Sequence, residues 1–135
     1  MYFTDEKDYI MRMIKEMVRV LFSLAFGKEY VSVELEKENK YEVSGKNLKD
    51  FLDMIDVGQI NEAENILLDG IDYSNRDEVI AAALFYQHLS EKDSEFLESN
   101  NYTKEEVMSG FKQLLMQSGY TDCLLYTSPS PRDCS

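Results

Sequence analysis

The segment from residue 5 to residue 26 constrains this chain more than any other, because apolar side chains cover about two thirds of its helical circumference. Ile10, Met13, Ile14, Met17, Val18, Leu21, Leu24 and Ala25 recur at helical spacing, and Met11, Val20, Phe22 and Phe26 widen the stripe. The polar side is defined by Arg12, Lys15, Glu16, Arg19 and Ser23. A helix at the edge of a small domain needs a narrower stripe, since only one of its sides meets the core. This helix is therefore expected either to lie at the centre of a bundle or to bury a second face against something else. The candidate interaction face is Met11, Met13, Met17, Phe22 and Phe26, whose pliant thioethers and flat rings adapt to varied surfaces. Its expected occupant is an unknown protein partner or a second copy of the chain. The alternative is a membrane surface, with Arg12, Lys15 and Arg19 turned toward the head groups.

The helix has signals at both ends. Thr4 can act as N-cap, Asp5, Glu6 and Asp8 suit the positive end of the helix dipole, and Gly27 supplies a stop. Residues 29 to 45 are ambiguous. Tyr30, Val31, Val33 and Leu35 alternate in part with polar residues, and so do Tyr41 and Val43, as in a short β-hairpin. Their Glu and Lys content argues for a charged connector with extended or helical pieces. Two short helices follow. Leu48, Phe51, Leu52 and Ile55 form one stripe, closed by Gly58; Asn61 would cap the next, with Ala63, Ile66 and Leu67 facing inward until Gly70. So short a loop forces an antiparallel hairpin. A fourth helix starts at Ser74 or Asn75 and carries Val79, Ile80, Ala83, Leu84 and Tyr86, with Ala81 to Ala83 thin enough to admit a close neighbour. A short piece near Ser90 to Leu97 precedes a last helix with the capping box Thr103-x-x-Glu106, the stripe Val107, Phe111, Leu114 and Leu115, and a stop at Gly119. The expected fold is all-α: a small bundle of antiparallel helical hairpins with a long N-terminal helix.

Residues 123–135 read CLLYTSPSPRDCS. The first eleven letters resemble, without a gap, one reading frame of the transposase adapter used to prepare DNA for sequencing. The domain expectation is a single helical unit over residues 1–122 and a non-native adapter-derived tail over 123–135. The tail holds both cysteines, Cys123 and Cys134, and both prolines, Pro129 and Pro131, so residues 1–122 offer no thiol chemistry or disulfide framework. About 122 residues are enough for one core. Residues 1–26 are charge-neutral, whereas residues 27–122 carry nine basic and twenty-one acidic side chains, the whole of the −12 net charge. That body repels a phosphate backbone, which argues against nucleic acid as a partner. It also disfavours an anionic membrane. The N-terminus opens on acidic residues and its apolar part is broken by Arg12, Lys15 and Arg19, unlike a secretory signal. The expected location is the cytoplasm.

Two resemblances follow from particular stretches. FLDMIDVGQINEAENILLDGI, Phe51 to Ile71, resembles the middle of a tetratricopeptide repeat, with Gly58 at the turn and Ala63 at the packed start of the second helix. The resemblance covers one hairpin, without the repeat's tryptophan and tyrosine signature, its closing proline or a second copy at the required period. DYIMRMIKEMVRVL (Asp8 to Leu21), INEAEN (Ile60 to Asn65) and FYQHLSEKDSEFLESNNYTKEEVMSGF (Phe85 to Phe111) resemble small bacterial proteins, mainly from Firmicutes, grouped as domain of unknown function 6483. That resemblance implies an intact domain of helices and brings no catalytic residues.

Three groups of residues carry possible chemistry. His88 is the one histidine; with no cysteine or second histidine it cannot build a usual zinc site, though it could pair with a carboxylate as a general base. Asp50, Asp53 and Asp56 recur at i, i+3 and i+6 and could hold a divalent cation, but a solvated helix face is the commoner meaning of that pattern. Asp69, Asp72, Ser74, Asn75, Asp77 and Glu78 offer oxygen ligands without the spacing of an EF-hand, and Asn75 and Asp77 already suit a helix cap. No glycine-rich phosphate loop or nucleophile elbow is present. No catalytic, cofactor-binding or metal residue is therefore assigned, and no cofactor is expected. The expected function is a non-catalytic interaction or adaptor module; the alternatives are a peripheral membrane protein acting through residues 5–26 and a metal-dependent or acid–base enzyme.

Overall fold

The computed structural model describes residues 2–26, 42–43 and 45–119, with side chains in the first helix described at positions 9–21 and 23. Six helices and one very small sheet make up these residues: α1 (Tyr2–Phe26), β1 (Glu42–Val43), β2 (Lys46–Asn47), α2 (Leu48–Asp56), α3 (Ile60–Gly70), α4 (Arg76–Ser90), α5 (Ser94–Ser99) and α6 (Lys104–Ser118). The all-α expectation holds.

The central element is α4, not α1. Every residue from Val79 to Tyr86 is buried. A helix that is apolar all round can be stable in water only if it is wrapped on all sides, and α1, α2, α6 and β1 all pack on α4. Ala81, Ala82 and Ala83 let those neighbours approach closely. Edge-to-face rings then run across the bundle. Phe51 of α2 meets Phe85 at 6.2 Å between centroids, Phe85 meets Tyr86 at 5.2 Å, and Tyr86 meets Phe111 of α6 at 6.5 Å. Each such pair contributes about 0.5–1.5 kcal/mol beyond its buried area.

By contrast, α1 packs on α4 and α6 with one side over the described residues 9–21. Ile14, Met17, Val18 and Leu21 are buried, at the i, i+3, i+4, i+7 spacing of a one-sided helix, while Arg12, Lys15, Glu16, Arg19 and Val20 are exposed. The helix also begins at Tyr2, upstream of the expected cap at Thr4. The side chains of Phe22 and Phe26 lie outside the described residues, as does the tail 123–135.

Most of the local signals read from the sequence work as expected. Asn75 caps α4, its side chain accepting from the amides of Asp77 and Glu78. Thr103 and Glu106 form the full capping box of α6, and Gly119 closes that helix in the left-handed conformation. Gly58 ends the α2–α3 turn at φ +90°. Three details differ. Asn61 does not cap α3, which starts one residue earlier; its side-chain amide instead donates to the carbonyls of Asn100 and Asn101, tying the α2–α3 turn to the α5–α6 turn. Gly70 is the last residue of α3, and the chain leaves it through an extended Ile71 without a left-handed cap. The strand Glu42–Val43, at the end of the stretch expected to hold a hairpin, pairs antiparallel with Lys46–Asn47 just beyond that stretch, and residues 27–41 lie outside the described residues. Gly45 at φ +82° turns that hairpin, and Val43 buries against α4.

Gly110, in the middle of α6, has a different role from the turn glycines. A Cβ there would lie 2.6–2.9 Å from the Tyr86 ring and hydroxyl, so α6 can sit on Tyr86 only without a side chain at this position. Helix propensity alone predicts that Gly110→Ala stabilises α6 by about 1 kcal/mol. We expect the reverse, a loss of about 1–3 kcal/mol, because Tyr86 is held on several sides and cannot yield. Urea denaturation of the two proteins decides between the signs, and unchanged or increased stability refutes the packing argument.

Candidate functional site

Two polar clusters stand out from the apolar interior. The first is built on Glu64 of α3. Its Oε2 accepts a hydrogen bond from the Tyr86 hydroxyl at 2.6 Å, and its Oε1 accepts one from the Tyr102 hydroxyl at 3.0 Å. Tyr86 is buried because α4 is central, and Tyr102 is buried in the turn before α6, so neither hydroxyl can rely on water. Burial, the Glu64 charge and the hydrogen bonds to it hold both phenols well above their ordinary pKa, which keeps them donors at all physiological pH.

This cluster borders a pocket of about 310 Å³ between α3 and α6. Its walls are Glu64 and Leu68 from α3, Tyr73 from the following turn, Tyr86 from α4, and Glu106, Ser109, Gly110, Gln113 and Leu114 from α6. Leu68 is 38 % exposed at the rim. Glu106 reaches the pocket while one of its oxygens, Oε1, accepts from the Thr103 amide in the capping box. The bare backbone at Gly110 brings α6 close to Tyr86 and shapes the pocket wall.

The second cluster joins two residues that sequence reasoning treated separately. His88 Nε2 and Lys92 Nζ both reach Oδ1 of Asp56, at 2.8 and 2.7 Å. The contact fastens the C-terminal end of α2 to the C-terminal end of α4, where cationic groups also oppose the negative end of the helix dipole. Lys104 acts similarly there, donating to the Ser90 carbonyl at 2.7 Å. Lys92 in addition lies 5.4 Å from the Phe96 ring centroid. Burial by itself would raise the Asp56 carboxyl, but hydrogen bonds from Lys92 and His88 and their charges outweigh it and hold the group below the usual carboxylate range.

The other candidate ligands go elsewhere. Asp53 pairs with Lys49, and Asp50 is exposed in the first turn of α2, so Asp50, Asp53 and Asp56 do not converge. Asp72 accepts from the Ser74 hydroxyl and amide, which lower its pKa, and Glu78 accepts from the Asp72 amide. With the Asn75 side chain accepting from the Asp77 and Glu78 amides, these bonds close the turn before α4. Among the described residues no group of three or more His, Cys, Asp or Glu is placed to hold a metal ion.

On the candidate interaction face, Met17 is 6 % exposed and belongs to the core. Met11 is half-buried, and so is Met13, which packs against the core from the other flank of the buried stripe. Met17 therefore faces inward, and the side chains of Phe22 and Phe26 lie outside the described residues. Glu64, Tyr86 and Tyr102 were missed as a group, since 22 and 38 residues separate the carboxylate from its donors. The available signal was that all three fall in the INEAEN and FYQ…SGF stretches that carry the family resemblance.

Fold and clusters together define a small all-α domain wrapped around one central helix, with a pocket beside the Glu64–tyrosine cluster on one side. The chain matches the family described as a family of unknown function, DUF6483, over residues 4–119, and it belongs to that family. The match spans α2 to α6, all of α1 but its first two residues, and both polar clusters. No curated protein and no solved structure matches the chain. Among the described residues no helix is long and apolar enough to cross a membrane.

Two measurements probe these clusters. Because the Asp56 carboxyl is held below its ordinary value, its stabilisation is complete above about pH 4 and is lost as pH falls through the depressed folded value. Asp56→Asn is therefore expected to lower the urea midpoint at neutral pH and to converge with the unmodified protein in acid; a constant difference down to about pH 2.5 contradicts the assignment. Tyr86→Phe removes one donor from Glu64 and should cost about 1.5–3 kcal/mol. In a double-mutant cycle with Glu64→Gln, additive losses would show that the pair is not coupled.

Proposed function

We propose that this chain is a non-catalytic protein-interaction module whose contact surface lies on the outer side of α1. One observation carries the reading. Tyr9 is 55 % exposed and Val20 38 % exposed, at positions i and i+11 and so on one side of the helix, although Ile14, Met17, Val18 and Leu21 already satisfy its inner stripe. Half-buried Met13, at i+4 from Tyr9, links that exposed strip to the core side. Apolar residues gathered on one side of a helix, rather than scattered singly, mark a contact site.

Charge supports the same surface. The α1 segment is neutral while residues 27–122 hold the whole −12, so a second copy or an acidic partner meets least repulsion there. Arg12 and Arg19, exposed beside the strip, suit the polar rim of such a contact. The two polar clusters tie helices together: His88 and Lys92 meet on Asp56, and both buried tyrosines donate to Glu64.

Tyr9→Ser combined with Val20→Ser tests the reading without opening the core. The double variant should keep its stability within about 1 kcal/mol, as exposed substitutions do, while losing self-association in sedimentation velocity or losing a partner recovered with the unmodified chain. Met17→Gln, on the inner stripe, should instead destabilise by about 2–3 kcal/mol. If the double variant and the unmodified chain are the same stable monomer and recover the same partners, the surface is not the contact site.

A further inference from the structure

We propose that the outer side of α1 pairs antiparallel with α1 of a second copy of this chain, about a twofold axis that crosses the helix near Ile14. The inference rests on the α1 reading above and names the partner. In a twofold contact one patch serves both molecules, so each residue must find its complement at an equal distance beyond the axis. On the outer side of α1 two complementary pairs share one centre. Tyr9 and Val20, both exposed, have their midpoint between Ile14 and Lys15. Arg12 and Glu16, both exposed, have theirs at Ile14. These midpoints differ by less than about 1 Å along the helix, and all four residues fall within an arc of about 80°. One axis therefore sets the Tyr9 ring on Val20 of the second copy and the Arg12 guanidinium beside its Glu16, each pair being made twice.

Charge favours this orientation over the parallel one. Residues 5–8 carry Asp5, Glu6 and Asp8 against Lys7, and residues 12–19 carry Arg12, Lys15 and Arg19 against Glu16, so the helix begins negative and continues positive. Antiparallel pairing sets unlike ends together, whereas parallel pairing sets like ends together and opposes each Arg12 and Glu16 to its own copy. Within one chain Glu16 pairs with Arg19 at 3.7 Å and not with Arg12. Both side chains of that ion pair are more than half exposed, so its exchange for a contact between copies costs little. Lys15 leans the other way, toward Glu91 of α4 at 3.5 Å, and stays out of the contact. Residues 27–122, which hold the whole −12, repel a second copy over the rest of the surface. A contact of one helix on each side lies at the low end of specific interfaces, about 1,200 Å² or less, so the dimer is weak.

Sedimentation equilibrium of the full chain, kept reduced because of Cys123 and Cys134, should show a monomer–dimer equilibrium between about 10 and 500 µM. Arg12→Glu and Glu16→Arg, both at exposed positions, should each raise the dimer Kd about fivefold or more, because each sets like charges together twice. An equimolar mixture of the two variants should recover the association, and so should the doubly reversed chain. A monomer throughout that range, single variants that associate like the unmodified chain, as parallel pairing predicts, or a mixture that fails to recover each overturns the proposal. Tyr9→Ser with Val20→Ser separates this failure from that of the α1 reading: if that variant still loses a recovered partner, the surface stands and only the second copy is removed as its occupant.

Discussion

The structure depends on a helix that has no side facing water. From Val79 to Tyr86, α4 buries every residue. The stability of that helix cannot come from its own propensity, since isolated helices of this length are marginal. It comes from neighbours that remove each side from solvent, and each neighbour is shaped by the demand. Helix α2 brings Phe51 against Phe85, α6 brings Phe111 and a bare Gly110 against Tyr86, and α1 buries Ile14, Met17, Val18 and Leu21. The buried tyrosine then needs a partner for its hydroxyl, which places Glu64 and, with it, one wall of the adjoining pocket. Packing and polarity are thus linked at a single side chain: the ring of Tyr86 sets the distance to α6, and its hydroxyl sets the position of the acidic group in α3.

Those elements whose signals are local were legible in the sequence. The capping box at Thr103, the cap at Asn75 and the left-handed glycines at Gly58 and Gly119 act over three or four residues, so spacing alone reveals them. The stripe of α6 reads correctly for the same reason. What spacing could not assign was which helix is central. Both α1 and α4 show apolar residues on too many sides. In α4 the excess reflects complete burial; in α1 part of it is exposed at Tyr9 and Val20. Pattern counts apolar positions around a helix but does not say how many other helices stand beside it. Alanine was the overlooked clue, because Ala81 to Ala83 add little to hydrophobicity and much to closeness of approach.

The polar clusters were legible residue by residue and not as groups. His88 and the Asp50–Asp53–Asp56 series were both visible, but the fold joins one aspartate to the histidine and leaves the other two on solvent. The oxygen-rich turn at Asp72 to Glu78 resembles a ligand set until Asp72, Asn75 and Glu78 are each given their amide or hydroxyl donors within the turn. Asn61 shows the same effect in reverse. As a cap it would have been local; as a donor to Asn100 and Asn101 it spans about forty residues, a distance that no period in the sequence encodes.

The one-sided docking of α1 also bears on the order of assembly. Helices α2 to α6 meet partners that lie near them along the chain, whereas α1 reaches α4 across about fifty intervening residues. Loop-closure entropy makes contacts across so long a span late and costly relative to local ones. The buried Ile14, Met17, Val18 and Leu21, each contributing about 1.5–3 kcal/mol, offset that cost. Without them one side of the Val79–Tyr86 helix would be wet and the most apolar surface of the chain uncovered. A second molecule's α1 is chemically identical to the missing piece, so displacement of α1 opens a route to exchange of that helix between two copies.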